Sequence, residues 1–322
     1  MSFFSILLAL LIEQARPLAR GNAVHAGMRG WLRWTVRKLD AGEPLHGWLV
    51  WAVAVGLPAL IAMAVYWLLL QFVGWPAAMV WNVLVLYATL GFRQFSHHFT
   101  AIRKALEAGD EEGARRLLAV WRQIDASELP RREILRHVIE FSVLAAHRHV
   151  LGVFLWFTVL ALLGLGPAGA VLFRLAEFVT RYWPHLAQRR AMPVSAASQA
   201  AAARAWWLVD WLPARTTALA FAIVGSFEDA VDNWRRFESL PPGEAAGGHD
   251  GLVVAAAAGA LNVRLGTTAL AAGEEPPQLL PAAGAQHEPQ LAHLHSVVGL
   301  VWRSVVMWML LLALLTLARL IG

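Results

Sequence analysis

Cysteine is absent from the 322-residue sequence, which excludes disulfide bridges, thiolate metal sites and cysteine nucleophiles. Charged residues are few, at 15% of the chain, whereas soluble domains average about 25%. Tyrosine occurs three times but tryptophan 16 times, and indole rings favour the interface between a bilayer and water. Together with a hydrophobic content of 58%, these proportions indicate an integral membrane protein.

The sequence also lacks the Walker loop, GxSxG and HExxH motifs, so no P-loop NTPase, serine hydrolase or zinc protease is indicated. One stretch, "GLGPAG" at 164–169, fits GxGxxG, but it lies inside an apolar run and is expected to break a helix and not to bind phosphate. The net charge of +5 comes from basic residues that flank apolar runs. This arrangement predicts a lipid bilayer, and not nucleic acid, as the partner.

The N-terminal apolar run, residues 1–12, is shorter than the roughly 20 residues that a membrane-spanning helix needs. It predicts a short, tilted or half-inserted helix. Residues 47–74 and 77–92 are separated only by a Gly-Trp-Pro break, which predicts an antiparallel transmembrane hairpin. Segments 13–46 and 93–149, on either side of it, carry six and ten Lys or Arg residues. The positive-inside rule predicts that both segments lie in the cytoplasm, and we expect a multi-pass protein of the cell inner membrane.

Residues 93–149 predict a helical insertion, in which "AGDEEG" is the turn of a helix hairpin and Pro130 lies in the first turn of a third helix. This third helix is expected to continue into the apolar segment 150–179. As one helix that segment would be about 45 Å long, against a hydrocarbon core of about 30 Å. The "GLGPAG" at 164–169 predicts a break and a re-entrant or hairpin arrangement, with a single crossing left open.

A further membrane helix is predicted at about 205–226, although it contains Asp210, Pro213 and Arg215. Two interpretations stay open. The two charges form an ion pair or backbone cap that repairs a helix broken by proline, or they mark a polar site at membrane depth. Glu133, His137 and Glu140 share one helical face, which suits metal ligands, but a polar face on a helix leaving the membrane is the commoner explanation.

The predicted fold is therefore an all-α integral membrane protein with about four to five transmembrane or re-entrant helices and a cytoplasmic helical insertion. The expected divisions are a short helix and basic segment (1–46), a transmembrane hairpin (47–92), the insertion (93–149), a membrane core (150–226), a polar loop region with a small-residue helix (227–295), and a C-terminal transmembrane helix (296–322).

Several segments, in order, resemble the CobD/CbiB family of cobalamin-biosynthesis membrane proteins. They are "DASELPRREILRHVIE", "VFLWF", "GPAGAVLFR", "DWLPARTTALAFAI" and "AAAAGALNVRLG". The resemblance implies a synthase that joins aminopropanol phosphate to adenosylcobyric acid as an amide, using ATP with Mg²⁺. Carried over by motif, it implies site residues Asp125, Glu140, Arg174, Arg204 and Arg215, to which Asp210 is added from the broken-helix motif.

The chain departs from the family pattern where Leu144, Ala145, Trp206 and Trp207 replace polar residues. Other features, among them "DWLPAR" and the opening "MSFFSILLALLIEQ", resemble the related AmpE branch, which is proposed to be a membrane sensor. Two functions therefore stay open: a synthase that uses ATP and Mg²⁺, and a non-catalytic sensor or regulator. A corrinoid or other small ligand in the polar site, and a protein partner or a second copy of the chain, are the further partners considered.

Overall fold

The structure, a computed structural model, describes residues 2–16, 23–122, 124–188, 192–241, 247–266 and 287–321. The described residues form helices and turns, with a single bridge between Val263 and His287. The N-terminal helices are α1 (Ser2–Ala15), α2 (Ala23–Leu39), α3 (Pro44–Trp51), α4 (Leu57–Phe72) and α5 (Trp75–Thr89). The central ones are α6 (Phe92–Glu107), α7 (Glu111–Arg122), α8 (Arg131–Ala146), α9 (Gly152–Leu162) and α10 (Ala168–Gln188). The last are α11 (Ala196–Val224), α12 (Phe227–Glu238), α13 (Gly248–Leu261) and α14 (Leu291–Ile321). The predicted all-α class is confirmed.

The chain forms two compact units. The first unit comprises residues 1–91, 148–213 and 315–322, and the second comprises residues 92–147 and 214–314. Neither unit is continuous in sequence, and the divisions expected from the sequence stay a prediction.

In the part of the chain that the structure describes, three helical stretches are long and apolar enough to cross a membrane: Pro44–Phe72, Arg131–Leu162 and Leu291–Ala318. Helices α1, α5 and α13 are apolar but shorter. On α4, Leu60 and Ile61 are more than half exposed, as expected for a helix whose outer face contacts lipid. The protein is therefore an all-α membrane protein. The helix predicted at about 205–226 overlaps the C-terminal part of α11, which has 29 residues, ends at Val224 and is not among the three candidate spans.

The predicted break in segment 150–179 is confirmed, because α9 ends at Leu162 and α10 begins at Ala168. The two helices pack so closely that a Cβ on Gly169 would lie 1.9 Å from the Trp156 carbonyl oxygen. Gly166 has φ +58° and lies against the Tyr66 ring, so both its conformation and its surroundings favour glycine. The side of the membrane to which α10 returns stays a prediction.

The helix hairpin predicted around "AGDEEG" is also confirmed, since α6 ends at Glu107 and α7 begins at Glu111. The carboxylate of Asp110 accepts a hydrogen bond of 2.7 Å from the Gly113 amide, which satisfies one of the donors at the start of α7. Pro130 precedes α8, and α8 continues through a π-helical turn into α9, as expected.

The polar loop region predicted at 227–295 contains one helix that the sequence pattern missed. Residues Phe227–Glu238 form α12, with acidic residues in its first turn and basic residues in its last turn, which complements the helix dipole. The small-residue helix was predicted correctly as α13, and it packs against α12. A Cβ on Gly259 would lie 2.2 Å from the Asp229 carbonyl oxygen. Most of the expected loops, residues 242–246 and 267–286, lie outside the described residues.

The start of α11 is held by Asp40, which follows α2. The Ser195 amide and hydroxyl donate to the Asp40 carboxylate at 2.9 and 2.6 Å, and the Ser195 hydroxyl accepts a hydrogen bond from the Ser198 amide. Ser195 therefore caps α11. Burial raises the pKa of Asp40, but hydrogen bonds from Ser195 and the Gly42 amide outweigh burial and leave this pKa below its usual value.

This cap predicts a pH-dependent stability. Because the folded pKa of Asp40 is lowered, its contribution is complete above the unfolded value of about 3.9 and is lost as the pH falls through the folded value. Asp40→Asn should therefore lower the thermal unfolding temperature in detergent near neutral pH, and the difference from the parent protein should shrink below about pH 4. The exposed Asp232→Asn is the control. A difference that stays constant down to pH 3 would contradict the assignment.

Candidate functional site

The helix that carries the predicted polar motif is not broken. Pro213 lies inside the continuous helix α11, which corrects the expectation of a proline-broken membrane helix. A proline at this position cannot donate to the carbonyl oxygen of Val209, four residues earlier. The indole N–H of Trp156 donates to that oxygen at 2.9 Å. A side chain from α9 thus replaces the missing backbone hydrogen bond and allows the helix to continue.

A tryptophan N–H also replaces the missing backbone donor at a second proline. Pro58 lies at the start of α4, directly after a π-helical turn, and cannot donate to the Ala54 carbonyl oxygen. The Trp31 indole N–H donates to that oxygen at 3.1 Å. Both carbonyl groups lie in apolar surroundings, where an unsatisfied backbone acceptor costs several kcal/mol.

Asp210 and Arg215 belong to different units of the chain. Asp210, in the first unit, is completely buried. Arg215, in the second unit, donates to the Glu238 carboxylate at 2.9 Å and keeps 28% of its side chain exposed. Glu238 ends α12, the helix that the sequence analysis missed. A joint polar site of Asp210 and Arg215 stays a prediction.

Glu140 belongs to a buried charged network in the second unit. One of its carboxylate oxygens accepts a hydrogen bond of 2.7 Å from the Gly266 amide and lies 3.6 Å from Nε of Arg136. Arg136 also pairs with Glu133 at 2.6 Å, and Nδ1 of His137 lies 3.8 Å from Glu140. Both glutamates of the proposed metal-binding face are thus engaged by an arginine.

Arg174 is nearly buried in the first unit, with 13% of its side chain exposed. It donates to Glu177 at 2.7 Å, and the other Glu177 oxygen pairs with Arg181. One buried carboxylate therefore forms ion pairs with two guanidinium groups. Glu177 was not among the predicted site residues, although its spacing from both arginines, at i−3 and i+4, suits ion pairs on one helix face.

Arg204 and Asp125 are both exposed. Asp125 lies in the turn before α8, where hydrogen bonds from the Ser127 hydroxyl and amide lower its pKa. The six predicted residues divide between the units, with Arg174, Arg204 and Asp210 in the first and Asp125, Glu140 and Arg215 in the second. The contacts described above join Asp125, Glu140, Arg174 and Arg215 to residues outside this set.

Among the described residues, no group of three or more His, Asp or Glu side chains is arranged to hold a metal ion. Mg²⁺ that arrives with ATP needs only one or two carboxylates from the protein. The two buried carboxylates described above, Glu140 and Glu177, already pair with arginines. The described residues therefore do not provide a resident metal site, and no chemical step is assigned to a metal here.

The replaced motif positions are apolar. The Trp206 ring lies 5.2 Å from the Phe173 ring, centroid to centroid, and Leu144 and Ala145 are buried. Trp207 is exposed, and the part of α11 that carries it also exposes Leu208, Trp211 and Leu212.

Comparison with known proteins gives consistent matches. A family profile described as "CobD/Cbib protein" matches residues 3–301. "Cobalamin biosynthesis protein CobD" of Stutzerimonas stutzeri is 32% identical over 83% of this chain and 81% of its own length. A protein with the same description from Chromobacterium violaceum is 32% identical over 70% of this chain and 67% of its own length. No solved structure matches.

The role of Trp156 can be measured directly. Trp156→Phe leaves the Val209 carbonyl without its indole donor, and should lower the free energy of unfolding by about 1 kcal/mol more than the control. The control is Trp51→Phe, because Trp51 is also half-buried but its ring nitrogen donates no hydrogen bond within the described part of the chain. Denaturant unfolding in detergent gives both values, and equal losses would refute the role of the indole N–H.

The Glu140 network makes a second prediction. In Glu140→Ala, the buried Arg136 guanidinium loses one of its two carboxylate partners, and the Gly266 amide loses its acceptor. This variant should therefore lower the free energy of unfolding by about 3–5 kcal/mol. Glu112→Ala should cost no more than about 1 kcal/mol, because Glu112 is 79% exposed in its pair with Arg116. The same unfolding measurement tests both variants, and similar losses would contradict the network.

Proposed function

This chain belongs to the CobD/CbiB protein family, and we propose that it is a cobalamin-biosynthesis membrane protein that forms the amide between adenosylcobyric acid and aminopropanol phosphate. The observation that carries the proposal is the similarity to two cobalamin-biosynthesis relatives over most of their lengths. ATP is the expected co-substrate, because a carboxylate must be activated before an amine can displace its oxygen.

Amide formation of this kind brings together a carboxylate, a phosphorylated amine and a nucleotide, all of them anions. Catalysis then depends mainly on cations placed where negative charge develops. Arg215 supports the proposal because its guanidinium is partly exposed while Glu238 holds it in position. A guanidinium carries five N–H donors in a planar fork, a geometry that suits a phosphate or a carboxylate.

Glu140 has a different role in the proposal. Its carboxylate accepts a hydrogen bond from the Gly266 amide and lies 3.6 Å from Nε of Arg136. We assign Glu140 as the positioning residue of this cluster and Arg136 as a cation that it orients. The basic segments 13–46 and 93–149 support a cytoplasmic site in the inner membrane, where the nucleotide is available.

A second candidate function has its own observation. The Trp206 ring packs on Phe173 where the family pattern has an acid, and an aromatic pair supplies no oxygen ligand for a nucleotide-bound cation. This favours the non-catalytic sensor or regulator that the AmpE resemblance suggests. Such a protein has the family's fold without its catalytic activity.

Complementation separates the two functions. The chain is expressed in a bacterium that lacks its own adenosylcobinamide-phosphate synthase, the cells receive cobyric acid, and cobalamin-dependent growth is scored. We expect growth with the parent chain and with Arg116→Ala, an exposed ion-pair control. We expect none with Arg215→Ala, since loss of one such donor costs about a hundredfold or more in rate.

Glu140→Gln is included because its amide oxygen still accepts from Gly266 while its charge is lost. Immunoblots of the membrane fraction confirm that each variant is present. No growth with the parent chain, at normal membrane levels, would overturn the synthase and favour the sensor.

A further inference from the structure

The first unit contains a cavity of about 370 Å³ between α2, α4, α5 and α10. This volume lies in the range of small-molecule sites, about 300–1,000 Å³. Apolar side chains such as Met28, Val85 and Leu175 make up most of its wall. The cavity is thus a preformed apolar site in the first unit, and of the six predicted site residues Arg174 is the one that lines it.

Most polar groups of the wall are already satisfied within the protein. The indole N–H groups of Trp31 and Trp81 donate to the carbonyl oxygens of Ala54 and Ala62. The Thr89 hydroxyl donates to its own helix. These groups therefore present only ring faces and methyl groups to a ligand, which disfavours a sugar or another polyhydroxylated molecule.

Two side chains in the wall carry or can carry positive charge, namely His25 on α2 and Arg174 on α10. Burial lowers the pKa of His25, and the Arg174 and Arg29 cations lower it further, so the potential near His25 is positive. In the described part of the chain, one nitrogen of Arg174 donates to Glu177. A guanidinium carries five N–H donors in all. An anionic group is thus favoured at this part of the wall.

The opening of the cavity reaches a surface that faces lipid. Ile61 lines the cavity and is 54% exposed, and it lies in Pro44–Phe72, a stretch long and apolar enough to cross a membrane. A molecule dissolved in the bilayer can enter here without crossing water.

We propose that this cavity binds an anionic lipid, with an alkyl chain in contact with Trp31, Ile61 and Trp81 and its anionic group at Arg174. The apolar walls, the arginine and the opening toward lipid support this ligand class together, whereas a nucleotide or a free sugar lacks the alkyl chain that the walls and the opening favour. The proposal goes beyond amide synthesis and does not depend on it.

Equilibrium binding of radiolabelled hexadecanoate tests the proposal. The full chain is placed in phosphatidylcholine nanodiscs, and binding to empty nanodiscs is subtracted. We expect saturable binding that Ala88→Phe and Val171→Phe both weaken, because either ring fills the cavity. Leu60→Phe is the matched control, since Leu60 is exposed beside Ile61 on α4 but does not line the cavity. Binding that is not saturable, or that all three variants leave unchanged, would overturn the proposal.

The charge requirement is tested with hexadecanol, which has the same chain without the carboxylate. Arg174→Met should weaken hexadecanoate binding about tenfold, the equivalent of one charged hydrogen bond, and leave hexadecanol binding unchanged. Arg174→Lys should restore most of the hexadecanoate affinity. Equal weakening of both ligands by Arg174→Met would show that arginine supports the fold and not the anion.

Competition identifies the source of the lipid. Displacement of hexadecanoate by phosphatidylglycerol supports a membrane phospholipid, and hexadecanoate binding that resists phosphatidylglycerol supports a free fatty acid. Displacement by inorganic phosphate alone would contradict the proposal, because it would mean that the site recognises a small anion without a chain.

Discussion

The requirement that every backbone carbonyl in an apolar environment receive a hydrogen bond governs this structure more than any other constraint. Pro58 and Pro213 each remove a backbone donor within a helix, and in both cases a tryptophan from another helix supplies an N–H instead. The prolines therefore do not end their helices. Some of the 16 tryptophans thus have a structural role inside the protein as well as the interfacial role that composition suggests.

The few charged residues inside the protein form compact networks in which arginines and glutamates neutralise one another. Arg136 contacts two glutamates in the second unit, and Glu177 contacts two arginines in the first. Such networks are weak sources of stability, because desolvation offsets the attraction. In the proposed function, such arginines position anionic substrates.

Local signals in the sequence predicted much of the fold. The turn before α7 and the break between α9 and α10 are set by glycine and proline within a few residues, so the sequence was sufficient there. Helix α12 was missed because its polar composition gives no membrane signal, and its stability depends on packing against α13 through Gly259. The continuity of α11 was also missed, since it depends on Trp156, a residue distant in sequence. The candidate site was also predicted only in part. Glu140 and Arg215 were predicted by resemblance, but their partners Gly266 and Glu238 come from segments that the sequence pattern did not connect with them.

The most direct test of the account is to detect the amide itself. The purified chain in lipid nanodiscs is incubated with adenosylcobyric acid, aminopropanol phosphate and ATP, and the products are followed by mass spectrometry. If the chain is the synthase, we expect a corrinoid whose mass equals the sum of the two substrates less one water. It should form together with ADP and phosphate, and only when the chain is present. If the folded chain binds a corrinoid but never yields that product, the synthase function is wrong and the chain is a binding protein on the same scaffold.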